Sequence, residues 1–140
     1  MAGIELLIDA LECDAERLRS LGVVRAVCEQ VVSDLRLNVV GEPQWHVFPE
    51  PGGVTGLYLL SESHLTCHTF PEFGLATFNL YCCRAHPECD WVSLLSATLS
   101  ARRIRVRRVN RGEPNDSAME TLTVCAPGDR ATLLTTGAPQ

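Results

Sequence analysis

A chain of 140 residues has room for one layered core and is too short for two. Hydrophobic residues make up 46% and charged residues 21%, which excludes a disordered chain and fits a globular domain. The net charge of −5 argues against general nucleic-acid binding, and no apolar run approaches a membrane span. Met1 to Glu5 lacks the basic flank of a signal peptide, and seven cysteines without an export signal read as reduced thiols. The expectation is a cytoplasmic protein with neither a membrane nor a nucleic-acid partner.

Ile4, Leu6, Ile8 and Ala10 alternate with Glu5 and Asp9, which predicts a half-buried first strand. Leu21, Val24, Val27, Cys28, Val31 and Leu35 recur at helical spacing behind Ser20, a fitting N-cap. Strands are predicted around Leu37–Val40 and Gln44–Phe48, followed by a turn at Pro49, Pro51, Gly52 and Gly53. Two more, near Val54–Leu60 and His64–Thr69, flank the Glu62-Ser63 step. Pro71 to Gly74 turns the chain into the strand Leu75–Cys83.

Asp90 is placed to cap a second helix with Trp91, Leu94, Leu95 and Leu99 on one face, and Arg103 to Val109 returns as a strand. Arg102, Arg103, Arg105, Arg107, Arg108 and Arg111 read most simply as a solvated strand face. Residues 1–112 form the domain. Residues 113–140, rich in Pro, Gly, Thr and Ala, read as a poorly ordered tail apart from a short apolar piece near Leu122–Val124. The fold class is α+β, a two-layer sandwich with a mainly antiparallel sheet and two helices on one face. The other sheet face is uncovered, and a symmetric dimer would bury it.

The chemistry concentrates between Ser61 and Glu72, which within twelve residues hold Glu62, Ser63, His64, Cys67 and His68. Strand alternation puts His64, Thr66 and His68 on one face and Leu65, Cys67 and Thr69 on the other. The same parity makes Cys82 a packed thiol, with Ala76, Phe78 and Leu80, and turns Cys83 toward the polar side. Cys13, Cys28 and Cys125 read as ordinary buried or tail thiols.

Ser61-Glu62-Ser63-His64 followed by His68, Pro71-Glu72 and Cys83 resembles the self-cleavage segment of the prokaryotic S-adenosylmethionine decarboxylase proenzymes. The resemblance runs from about Gly3 to Gly112. It implies a break between Glu62 and Ser63, giving chains 1–62 and 63–140, with Ser63 converted to a pyruvoyl group. In that scheme the Ser63 hydroxyl attacks the Glu62 carbonyl, the amide shifts to an ester, and elimination leaves a dehydroalanine. Hydrolysis of the dehydroalanine releases ammonia. The pyruvoyl cofactor then forms a Schiff base with the substrate amine and takes up the electrons released as carbon dioxide leaves.

By the same resemblance His68 transfers protons in processing with support from Thr55, and Cys83 is the proton donor in catalysis. Glu72 holds the substrate ribose, and Phe70 and Phe48 face its adenine. Four positions depart from the family pattern: Thr55 replaces a serine, Phe70 a tryptophan, Pro49 a purine-stacking phenylalanine, and Arg84 a glycine.

The implied function is decarboxylation of S-adenosylmethionine, a small-molecule substrate, for polyamine (spermidine) synthesis. Pro49, Phe70 and Arg84 motivate an alternative, a pyruvoyl-dependent arginine or ornithine decarboxylase. Two further readings belong to other classes. One is a zinc site drawn from His64, Cys67, His68, Cys83, His86 and Cys89. The other is a binding domain that never cleaves. Against zinc, Cys67 and His68 should point to opposite faces of a strand, so no metal is expected.

Overall fold

A computed structural model describes residues 3–112 and 119–125. Strand β1 (Gly3–Leu11) leads into a one-turn helix α1 (Ala15–Arg19) and the long helix α2 (Leu21–Asp34). Three strands follow: β2 (Gln44–Val47), β3 (Val54–Leu60) and β4 (Ser63–Phe70). A 3-10 turn at Pro71–Phe73 leads to β5 (Leu75–Cys82), then α3 (Trp91–Leu99), β6 (Arg103–Arg111) and β7 (Met119–Cys125). The strands form one sheet in the order β2-β3-β4-β5-β1-β6-β7, every neighbouring pair antiparallel. This is the expected two-layer α+β arrangement. Among the described residues no helix is long and apolar enough to cross a membrane.

The helices start where their caps dictate. Ser20 Oγ accepts the Val23 N–H at 3.3 Å, and Asp90 Oδ1 accepts that of Ser93 at 3.0 Å. Behind these caps, Val24, Val27, Cys28 and Val31 of α2, and Trp91, Leu95 and Leu99 of α3, turn onto one sheet face. There they meet Ile8, Leu65, Phe78, Leu80 and Ile104. Burying each such Leu or Ile contributes about 2 kcal/mol. The short α1 escapes periodicity analysis because one turn shows no period, yet Asp14 caps it and Leu18 is buried.

Alternation along β4 and β5 is as expected. Leu65, Cys67, Thr69, Ala76, Phe78, Leu80 and Cys82 are all buried on the helix side. Thr69 is the polar member of that set. Its hydroxyl donates to the Leu18 carbonyl at 2.8 Å and accepts the Val54 N–H at 2.9 Å, tying β4 to β3 and α1.

Three expectations are corrected. Leu37–Val40 is not a strand: after α2, Arg36 takes a left-handed φ of 53°, and only Val39 bridges to Leu60. The tail reading is amended at Met119–Cys125, where the short apolar piece near Leu122–Val124 extends into an edge strand paired with β6, Ile104 facing Val124 and Val106 facing Leu122. The remainder of 113–140 lies outside the described residues. The arginines of β6 are not simply solvated. Arg105 and Arg107 reach Asp9 at 3.8 and 3.0 Å, Arg103 reaches Glu12 at 3.5 Å, and Arg111 pairs with Glu5.

Candidate active site

The sheet face without helices carries the chemical side chains. Register pairs place Thr55 opposite His68, Leu57 opposite Thr66 and Leu59 opposite His64 between β3 and β4. Across β4 and β5, His64 faces Tyr81, Thr66 faces Asn79 and His68 faces Thr77. A shallow depression of about 510 Å³ lies over the middle of this face, lined by Leu7, Asp9, Thr66, His68, Asn79 and Arg107 among others. Its ionisable members on β1 and β6 are paired, since the Arg107 guanidinium donates to Asp9 at 3.0 Å.

The Glu62-Ser63 link sits at one end of β4. Ser63 has φ 145°, a region that side chains rarely adopt, so the residue after the link is held in backbone strain. Its hydroxyl lies 3.1 Å from His64 Nδ1. The Glu62 carbonyl oxygen accepts the Cys83 N–H at 2.9 Å. Glu62 itself is 7% exposed, with its carboxylate turned onto Asn38. Burial raises this carboxyl, but the Asn38 N–H, the Asn38 side-chain amide and the Ser61 hydroxyl outweigh it and hold it below the ordinary range.

The neighbouring cysteines differ as parity predicts. Cys82 is buried, and burial pushes its thiol up to about 11, whereas Cys83 is exposed at the end of β5.

A second cluster occupies the other end of β4. His68 Nδ1 is 2.5 Å from Thr55 Oγ1, so the threonine hydroxyl is in contact with the ring. Phe48 and Phe70 flank that ring edge-on, with centroids 5.5 and 4.3 Å away, and Phe73 continues the row 6.3 Å from Phe70. Glu72 is exposed in the turn just beyond. Gly53 makes the end of β3 possible there, because a Cβ would lie 2.4 Å from the Thr69 carbonyl oxygen.

Thus Glu62, Ser63 and Cys83 come together, and so do Thr55, His68, Phe48, Phe70 and Glu72. The two groups do not meet within one chain. Five residues separate Ser63 from His68 along one strand, about 17 Å at an ordinary strand rise. Sequence reasoning did not single out Asn38, and it gave His64 only a place on the strand face and in the zinc alternative. The adjacency of His64 to Ser63 was visible, but the turn that brings Asn38 across was not. The zinc reading is split by the sheet. Cys67 Sγ faces Cys28 Sγ at 3.7 Å in the core while His64 and His68 project from the other face. Among the described residues, no group of three or more His, Cys, Asp or Glu could hold a metal ion.

Fold and site define the class: an α+β enzyme whose chemical residues line one open sheet face. The sequence model of the family described as S-adenosylmethionine decarboxylase matches residues 4–112. The chain is 30% identical over 125 residues to the S-adenosylmethionine decarboxylase proenzyme of Aquifex aeolicus, covering 86% of this chain and 91% of that one. It is 34% identical to the proenzyme of Symbiobacterium thermophilum, covering 86% and 89%. The crystal structure of the adenosylmethionine decarboxylase from Aquifex aeolicus superposes with a TM-score of 0.65 at 28% identity, covering 84% of this chain and 96% of that one. The chain belongs to the S-adenosylmethionine decarboxylase family.

Proposed function

We propose that this chain is a proenzyme that cuts itself between Glu62 and Ser63 and then decarboxylates S-adenosylmethionine, supplying aminopropyl groups for polyamine synthesis. Family membership across residues 4–112 supports S-adenosylmethionine over a smaller amino acid. The observation that carries the cleavage is the Glu62-Ser63 link itself, strained at Ser63 and with its carbonyl on the Cys83 N–H. When the Ser63 hydroxyl adds to that carbonyl, negative charge develops on the oxygen the N–H already holds. Breaking the bond also relieves the Ser63 backbone. A pyruvoyl group made from Ser63 fits this position, and its carbonyl supplies the electron sink that decarboxylation of an amino acid needs.

The distance between the two clusters gives the open face its purpose. A second copy stacked face to face about a two-fold axis, with the β4 strands running oppositely, brings the partner's His68 toward Ser63. In that dimer Ser63 and Cys83 of one protomer meet Thr55, His68, Phe70, Phe48 and Glu72 of the other. The His68 imidazole can both accept and donate a proton through its ring nitrogens and suits proton transfer during processing. Exposed Cys83 serves as the proton donor to the product carbon, Phe70 and Phe48 offer flat faces to adenine, and Glu72 offers acceptors to the ribose hydroxyls.

Mass spectrometry of the purified protein tests the core of this reading. The expected result is two chains, 1–62 and 63–140, the second resistant to Edman degradation, with carbon dioxide released from S-adenosylmethionine. An active Ser63→Ala protein that stays at 140 residues overturns it.

A further inference from the structure

Asn38 belongs to no helix or strand, yet it is bonded to both residues that precede the Ser63 nitrogen. Its backbone N–H donates to Glu62 Oε2 at 3.1 Å and its side-chain Nδ2 donates to Oε1 at 2.6 Å. Its carbonyl accepts the Ser61 N–H at 2.9 Å. The segment is held in place on both sides. Leu37 N–H donates to the Val32 carbonyl at the end of α2, and Val40 N–H donates to the Leu59 carbonyl at 2.8 Å.

We infer that Asn38 is a positioning residue for self-cleavage, holding Glu62 so that its carbonyl stays on the Cys83 N–H while Ser63 keeps its strained φ. The inference rests on the self-cleavage proposed above.

The physical reason has two parts. A strained dihedral persists only where its surroundings fix it, and a free Ser61-Glu62 turn would relax it. Bonds from Asn38 to the Ser61 N–H and to both Glu62 carboxylate oxygens pin that turn from one side, while Cys83 pins the carbonyl from the other. In addition, a loose Glu62 carboxylate would bring a negative charge toward the carbonyl where an oxyanion has to form. Two neutral N–H donors hold that charge away from it. Glu62 thereby has a task of its own: it anchors the acyl side of the bond.

The test follows cleavage of the full-length chain during cell-free synthesis, by mass spectrometry, with rates taken per folded molecule. Asn38→Ala should slow cleavage about tenfold or more, because it removes a hydrogen bond to a charged group. Asn38→Asp should slow it further, since two carboxylates then face each other. Asn38→Asp combined with Glu62→Gln exchanges donor and acceptor and should recover the parent rate to within about threefold. Folding is measured by thermal unfolding of the same variants carrying Ser63→Ala, in which no chain can cut. Parent-like cleavage of Asn38→Ala overturns the inference. So does a double variant as slow as Asn38→Asp alone, and so does a slowing that disappears per folded molecule. If the parent chain itself stays whole, it is the self-cleavage reading that fails.

Discussion

The carbonyl oxygen of Glu62 accepts the backbone N–H of Cys83 at 2.9 Å, joining the start of β4 to the end of β5 at the proposed cleavage point. In the proposed reaction the main chain of Cys83 and its thiol have separable tasks. Cys83→Ala keeps the N–H and should cleave normally, yet lose turnover. Cys83→Pro removes the N–H and should slow cleavage about 100-fold or more. Cys82→Ala should cost about 1 kcal/mol of stability and preserve both steps. Rates of cleavage and of carbon dioxide release, measured on all three, check the assignment. Turnover lost with Cys82→Ala and kept with Cys83→Ala would show the strand parity to be off by one.

Complementation tests the proposed dimer directly. His68→Ala retains Ser63 but lacks the ring, and Ser63→Ala retains the ring but cannot cut. Each alone should stay near full length. Co-expressed, they should yield cleaved His68→Ala chains, because the Ser63→Ala partner supplies its histidine across the interface. A mixture that cuts no better than the two separate proteins rules out the shared site.

In the proposed site, substrate recognition turns on the row of rings at the far end of β4. Aromatic stacking adds about 0.5–1.5 kcal/mol beyond area burial, so Phe70→Ala should raise KM for S-adenosylmethionine about tenfold. Phe70 also packs on His68, with centroids 4.3 Å apart, so the measurement belongs on fully cleaved protein. Restoring an aromatic at Pro49 together with Phe70→Trp should lower KM. An adenosine analogue without an amino group should compete. Its failure at millimolar concentration would redirect the search toward small amino acids.

Acid should reveal the grip on Glu62. Its folded carboxyl lies below the ordinary range, so it stabilises the fold above the unfolded value of about 4.3. That contribution is lost as pH falls through the lower folded value. In a Ser63→Ala background, Glu62→Gln should therefore unfold more readily than its parent at pH 6. The gap between the two should close below about pH 4. Unfolding curves at both pH values decide it, and a gap that widens in acid contradicts the sign.

The layers, both caps and the facing of β4 and β5 were legible in the sequence because each is a local pattern. Ser20 and Asp90 precede apolar periods of a helix, and Leu65, Cys67 and Thr69 alternate with His64, Thr66 and His68. The roles proposed for Ser63 and Cys83 come from their surrounding motif. The bonds from Asn38 to Ser61 and Glu62 were not, because they depend on how the chain leaves α2, through a left-handed Arg36 that no propensity favours. Nor was the separation of Ser63 from His68. Motif spacing gives neighbourhood in sequence, and an extended strand turns five residues into the width of a site. The edge strand at Met119–Cys125 showed in the sequence only as a short apolar piece near Leu122–Val124, behind a polar stretch that resembles linker.

The sheet order also governs what a cut does to the molecule. With a break at Glu62-Ser63, β1 would belong to the first fragment while lying between β5 and β6 of the second, and β3 and β4 would stay paired across the break. The fragments are interleaved, so severing one peptide bond leaves every strand in place. It changes the molecularity of folding instead. The uncut chain closes β1 into its slot as a unimolecular event, whereas two separated pieces must first find each other at the concentration the solution provides. Cleavage there would work as a one-way latch on the order of events. Folding comes first, and a processed enzyme that is fully unfolded and diluted should recover far more slowly than its uncut Ser63→Ala counterpart.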